Sequence, residues 1–148
     1  MNNLELKPIS RTDIVWLDKT EYKNLSEERR ELLVSDSERC LCQGEFFRFF
    51  MIKDGNEVVG VINMQGHGKE VVSVAPEIFP EHRGKGFAYK SLVKTYEFAK
   101  EKGFTQLTAG IREENIASQN LHLKLGYKHV GNALSKNGKA LKMYSRQL

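Results

Sequence analysis

The run Glu45-Phe46-Phe47-Arg48-Phe49-Phe50 restricts the fold of this chain more than any other stretch. Successive side chains of a strand point to opposite faces, so Phe46 and Phe50 lie on one face and Phe47 and Phe49 on the other. A sheet with large aromatic groups on both faces suits an architecture that covers both. Asp54-Gly55-Asn56 then reads as a turn and residues 57–65 as the returning strand of a hairpin. With 148 residues, there is material for a single core that buries roughly 68–70% of the unfolded surface.

The elements around this hairpin are also legible. Residues 4–9 alternate apolar and polar and read as a first strand, and 11–20 and 26–34 read as helices with polar starts. Residues 70–79 form another strand, in which Pro76 implies an edge, a bulge or a parting from the neighbouring strand, because proline donates nothing to a ladder. Ala88, Leu92, Val93, Tyr96 and Ala99 recur at helical spacing, and Gly103-Phe104 reads as the helix stop. A strand at 106–111, a helix at 115–125 and a last hairpin of 127–134 and 140–146 around Asn137-Gly138 complete the order.

Composition narrows the function classes. Hydrophobic residues make up 40% and charged residues 28%, and no apolar run approaches the ~20 residues of a membrane span. The first residues, Met1-Asn2-Asn3-Leu4-Glu5, lack the basic and apolar regions of a secretion signal, so a cytoplasmic location is expected. The net charge of +4 comes from dispersed lysines and arginines. That pattern suits a phosphate-bearing cofactor and makes no case for nucleic acid or membrane. Cys40 and Cys42 are too close for an ordinary disulfide and have no second pair to complete a zinc site, so they read as free thiols and no metal is expected.

The chemistry concentrates in two clusters. Arg83-Gly84-Lys85-Gly86-Phe87-Ala88 follows Pro80 and leads into the amphipathic helix. Its glycines permit a tight turn, and the helix end directs free N–H groups back at that turn, which together make an anion cradle. No Gly-Lys-Ser/Thr ending follows, which sets aside a Walker loop. The second cluster is Asn115-x-x-Ser118-x-x-Leu121-His122-x-Lys124-x-Gly126-Tyr127.

Taken together, the two clusters resemble the cofactor-binding segments of the GNAT superfamily, the GCN5-related N-acetyltransferases, and Pro80-Glu81-His82 resembles that family's lead-in. The resemblance spans residues 70–127. It implies a single α/β GNAT-type domain over 1–148, with a mixed, mostly antiparallel central sheet and helices on both faces. It also implies an N-acetyltransferase that moves an acetyl group from acetyl-CoA to a primary amine by direct attack. In this reading Arg83, Gly84, Lys85, Gly86, Phe87 and Ala88 hold the diphosphate. A bulged strand exposes the backbone of Ile78 and Phe79 to pantetheine, where a nearby N–H forms an oxyanion site worth about 3–4 kcal/mol. Asn115 is either a pantetheine contact, as the resemblance implies, or simply a helix N-cap.

His122 stands where many GNAT enzymes carry the tyrosine that protonates the departing thiolate. With Ser118 one turn earlier it looks closer to the phosphinothricin acetyltransferase-like branch. It is either that acid or a packed residue, with an ordered water as the other proton source. An amine of pKa 10.4 is neutral in roughly one molecule in two thousand at pH 7, a handicap of about 4.6 kcal/mol that a base must offset. Glu77 is the first candidate for that base and Glu70 and His67 are weaker ones, while the position of a glutamate in some relatives falls on Ser73. The acceptor, a small molecule or a peptide amine, is expected to be selected by residues 11–42 and 134–140. The protein is expected to be a monomer or homodimer. A non-catalytic acyl-CoA-binding domain is the alternative.

Overall fold

A computed structural model describes residues 4–148; Met1-Asn2-Asn3, to which the single-domain reading and the expectation about a secretion signal extend, lie outside the described residues. The strands are β1 (Leu4–Pro8), β2 (Leu41–Cys42), β3 (Glu45–Asp54), β4 (Glu57–His67), β5 (Val71–Ile78), β6 (Gln106–Arg112), β7 (Lys128–Leu134) and β8 (Ala140–Gln147). The α-helices are α1 (Glu27–Arg39), α2 (Phe87–Glu101) and α3 (Ile116–Lys124). Two 3-10 segments, Arg11–Lys19 and Pro80–His82, join them. The strand order is β1-β3-β4-β5-β6-β8-β7, with β2 beside β3; β5 and β6 run parallel and the other pairs are antiparallel. This is the single α/β, mixed and mostly antiparallel fold expected.

The phenylalanines divide as strand geometry dictates. Phe46 and Phe50 meet Phe98 of α2 on one face, while Phe49 joins Ile9, Leu17 and Val34 under the 3-10 helix and α1 on the other. Both faces are therefore covered. Burying one such side chain contributes about 1.5–3 kcal/mol.

The N-terminal half departs from the sequence reading in three places: the first helix, the length of α1, and the added strand β2. Residues 11–19 form a 3-10 helix, opened by a reciprocal capping box between Ser10 and Asp13. α1 runs on through Ser35-Asp36-Ser37 to Arg39, past the polar stretch at which its pattern was expected to end. Tertiary structure supplies the reason. β1 ends at Pro8, which pairs with Phe50, and beyond it the Phe49 N–H needs an acceptor. Ser37, fully buried, provides one at 2.8 Å. A buried N–H left unpaired costs about 1–3 kcal/mol, so this serine keeps the helix long. β2 turns into β3 through Gln43-Gly44, both at positive φ, 50° and 82°, the backbone of a type I′ hairpin turn.

The bulge expected on the strand before the glycine loop is absent from its pairing with β4. The β4–β5 register runs without a shift from Gly60↔Ile78 to His67↔Val71. The opening lies on the other edge, where the β5–β6 ladder covers only Val71, Val72 and Ser73 and then stops. Phe79 N–H donates to Val59 O at 2.9 Å, so the alternation of an antiparallel ladder turns the backbone groups of Val74, Pro76 and Ile78 toward the parting strand. The missing donor of Pro76 thus faces the gap.

Gly60 makes this geometry possible. A Cβ there would overlap the Glu77 carbonyl oxygen and lie 3.0 Å from Ile78 Cα, both rigid backbone atoms. Gly60→Ala is expected to lower stability by about 1–3 kcal/mol through overpacking. Urea unfolding checks this, and an unchanged midpoint would show that β5 can move aside.

Candidate active site

The glycine loop that the sequence singles out is built at the end of β5. Pro80–His82 turns the chain, and Gly84 and Gly86 follow at φ 79° and 82°. Gly86 is the N-cap of α2, with no side-chain cap and no acidic residue in the first turn. The first intrahelical bond after the loop runs from Lys90 N–H to Gly86 O at 3.1 Å, so the N–H groups before it point out of the helix end. Above the two glycines a Cβ would meet nothing within 4 Å. An uncapped helix end facing open space, flanked by Arg83 and Lys85 and free of carboxylates, fits a diphosphate.

The second cluster faces this loop across a cleft of about 390 Å³, whose walls carry Ile78, Arg83, Gly84, Gly86, Phe87 and Ala88 on one side and Ala117, Leu121 and Lys124 of α3 on the other. Two segments some thirty residues apart thus close on one space. Arg83 has a further bond, since its Nε donates to Ile78 O at 3.0 Å and ties the loop to the strand end. That carbonyl is therefore engaged, and Phe79 is engaged at both backbone groups, its N–H by Val59 and its C=O by His82 N–H at 2.9 Å. Phe79 is fully buried and stacks on Trp16 at 5.8 Å. Of the two expected pantetheine contacts, Ile78 N–H faces the gap and Phe79 does not.

Asn115 caps α3, its Oδ1 accepting from Ser118 N–H at 3.1 Å. His122 is 3% exposed and packs edge-on against Tyr127, ring centroids 4.7 Å apart. Its Nδ1–H donates to Ser118 O at 2.8 Å, and burial lowers its pKa against the opposing pull of that carbonyl. A neutral imidazole protonated at Nδ1 has no proton to give at Nε2. This geometry favours the packing reading of His122 over the acid reading.

A depressed histidine pKa also gives a sign. Below the ordinary 6.5, the unfolded chain takes up a proton that the folded one resists, so stability falls on acidification. The urea midpoint is expected to drop between pH 7.5 and pH 5, and by less in His122→Phe. An equal drop in both proteins would assign the loss to other groups.

Glu77 lies on the opposite face of β5 from Ile78. Its Oε1 accepts from Glu21 N–H at 3.1 Å, and burial raises its pKa, with Glu21 adding to the rise and the Glu21 N–H and Arg83 opposing it. Tyr22 stands beside it, accepting from Asn63 Nδ2 at 2.9 Å. The weaker candidates are far off. Glu70 is seven residues from Glu77 along the strand, about 23 Å at 3.3 Å per residue, and its carbonyl accepts from Thr105 and Gln106. His67 is bonded to Ser73 at 3.0 Å, also toward that far end.

Tyr22, Asn63, Trp16 and Lys19 were not singled out in the sequence, where no spacing marks them. Lys19 Nζ sits 5.0 Å from the Phe79 ring and pairs with Glu81, binding the 3-10 helix to the exit of β5. Among the described residues no helix is long and apolar enough to cross a membrane, and no group of three or more His, Cys, Asp or Glu could hold a metal.

Residues 4–128 match the sequence model of the Acetyltransferase (GNAT) domain. The chain belongs to the GNAT acetyltransferase family. As a GNAT enzyme it takes acetyl-CoA, the cofactor of that family. No curated protein sequence matches it. Solved structures share its fold at low identity. Spermidine N-acetyltransferase from Vibrio cholerae, in complex with CoA and spermine, has a TM-score of 0.83 at 17% identity, covering 98% of this chain and 95% of that one. The acetyl transferase that modifies the N-terminal serine of ribosomal protein L7/L12 in Salmonella typhimurium has a TM-score of 0.80 at 17% identity, covering 100% and 96%. RimL, a ribosomal L7/L12 α-N-protein acetyltransferase in complex with coenzyme A, has a TM-score of 0.81 at 17% identity, covering 100% and 96%.

Proposed function

We propose that this GNAT enzyme transfers the acetyl group of acetyl-CoA to a primary amine by direct attack, with Glu77 as the base. The observation that carries the reading is the meeting of both motifs on one cleft beside the parted β5–β6 edge. When bound, acetyl-CoA supplies a thioester whose carbonyl carbon accepts the amine nitrogen as the carbon–sulfur bond breaks.

The chain does the rest. The N–H groups at the start of α2, with Arg83 and Lys85, hold the diphosphate. Ile78 N–H is the backbone donor for the pantetheine side of the gap, and Asn115 orders the start of α3 beside it. Glu77 takes the proton that the amine must shed, directly or through water, and its raised pKa brings it closer to that task. No strong acid is needed on the leaving side, because a free thiol has a pKa near 8.5 and water in the open cleft can protonate it. The likeness to the phosphinothricin acetyltransferase-like branch rests on Ser118, half-buried here, and on His122, which is buried, and carries no substrate with it.

Thiol release from acetyl-CoA with a broad amine panel tests the reading. Amine-dependent release supports it, whereas tight coenzyme A binding with no release from any amine returns the chain to a non-catalytic acyl-CoA-binding domain.

A further inference from the structure

A second cleft, of about 450 Å³, lies between α1 and the β2–β3 hairpin, separate from the donor cleft. Its size falls within the roughly 300–1,000 Å³ of small-molecule sites. Leu25, Leu32 and Leu33 line one wall, with Phe47 and the ring of Tyr22 closing the others. Leu32 is 54% exposed there, an apolar wall that no other part of the described chain covers. The acidic group at the rim, Asp36, is paired with Arg39, and burial together with Asp36 pushes the Cys42 thiol up, away from thiolate.

Tyr22 joins this cleft to the candidate chemistry. Its ring is a wall of the cleft, its oxygen accepts from Asn63, and the residue before it donates its N–H to Glu77. The apolar space is therefore walled by the residue next to the one that bonds Glu77. We infer that this cleft holds the apolar body of the acceptor, so that the preferred substrate is a primary monoamine bearing an alkyl or aryl group, not a polyamine. The inference rests on the acetyltransferase reading above and adds the substrate class. A second ammonium in this cleft would be stripped of water against leucine and phenylalanine, with the nearby carboxylate already paired, and such burial is unfavourable. Each methylene buried there instead strengthens binding about fourfold.

The test follows thiol release from acetyl-CoA by the full-length protein with propylamine, pentylamine, heptylamine and phenethylamine, and with 1,5-diaminopentane and spermidine as polycationic counterparts. The expected result is a kcat/KM that climbs about fourfold per methylene until the cleft is full, with pentylamine at least about tenfold better than 1,5-diaminopentane, since a buried unpaired charge is the more costly. A flat series, or preference for either polycation, overturns the inference. Leu32→Glu, at an exposed position, is expected to erase the chain-length slope while calorimetry finds acetyl-CoA affinity unchanged; a retained slope also overturns it. If no amine is acetylated, the parent reading fails, and calorimetry on the cofactor-free protein decides the cleft alone. Heptylamine bound more tightly than propylamine, with the difference lost in Leu32→Glu, supports it, and equal binding of the two amines refutes it.

Discussion

Gly86→Asp is expected to weaken acetyl-CoA binding by roughly 3 kcal/mol, about 150-fold, the Coulomb energy of two like unit charges 5 Å apart at an effective dielectric of 20. The side chain would project from the α2 N-cap into space where nothing lies within 4 Å, the space assigned to the diphosphate. Gly86 also sits at φ 82°, where any L residue costs about 1–2 kcal/mol. Gly86→Ala separates the two effects, because it carries the strain without the charge. Isothermal calorimetry should show a large loss for aspartate and a small one for alanine, with similar thermal destabilisation of both. If aspartate binds the cofactor as tightly as wild type, the diphosphate lies elsewhere.

Glu77→Gln is expected to lower kcat/KM by about 10²–10⁴-fold, the usual worth of a positioned base, with acetyl-CoA affinity intact. Glutamine keeps an oxygen to accept the Glu21 N–H bond, so the strand and its neighbour should stay in place. The wild-type acid limb of kcat/KM should lie above the ordinary carboxylate range, because burial raises the Glu77 pKa, and it should flatten in the variant. Stability should move the opposite way. A carboxyl whose pKa is raised by folding adds stability at low pH that is lost as pH rises through its folded value. At pH 7 the variant should therefore unfold at higher urea than wild type, with the gap closing near pH 4. The gap should be modest, since Glu77 is only half-buried and water screens its charge. Unchanged turnover would return Glu77 to a structural residue.

The shape of the candidate donor cleft could be anticipated from the sequence because backbone chemistry writes it in few residue types. Gly84, Gly86 and Asn115 each answer a local demand, and in three dimensions the glycine loop and the helix that Asn115 caps form two walls of one cleft. The sheet was readable for a similar reason, since Phe46 to Phe50 show both faces at once. What the sequence concealed depends on distant partners. Ser37 looks like a helix end until Phe49 N–H is seen to need it. His122 carries a residue type suited to proton transfer, and only its bond to Ser118 and its burial against Tyr127 show where its proton is held. The parting of β5 from β6 could be anticipated from Pro76, but a bulge was the wrong device for it. A ladder that simply ends leaves no mark in composition.

The one-sided registration of β5 has a consequence for how such a protein can change. Its unbroken pairing with β4 holds the donor machinery through main-chain bonds that are indifferent to side-chain identity, apart from Gly60. The segment from Trp16 to Gln43, which carries the wall proposed for the acceptor, meets that machinery through the Glu21 N–H at Glu77 and through Trp16 and Lys19 at Phe79. The segment should accordingly behave as a graftable part, with foreign loops altering which amines are taken while the coenzyme half is inherited untouched.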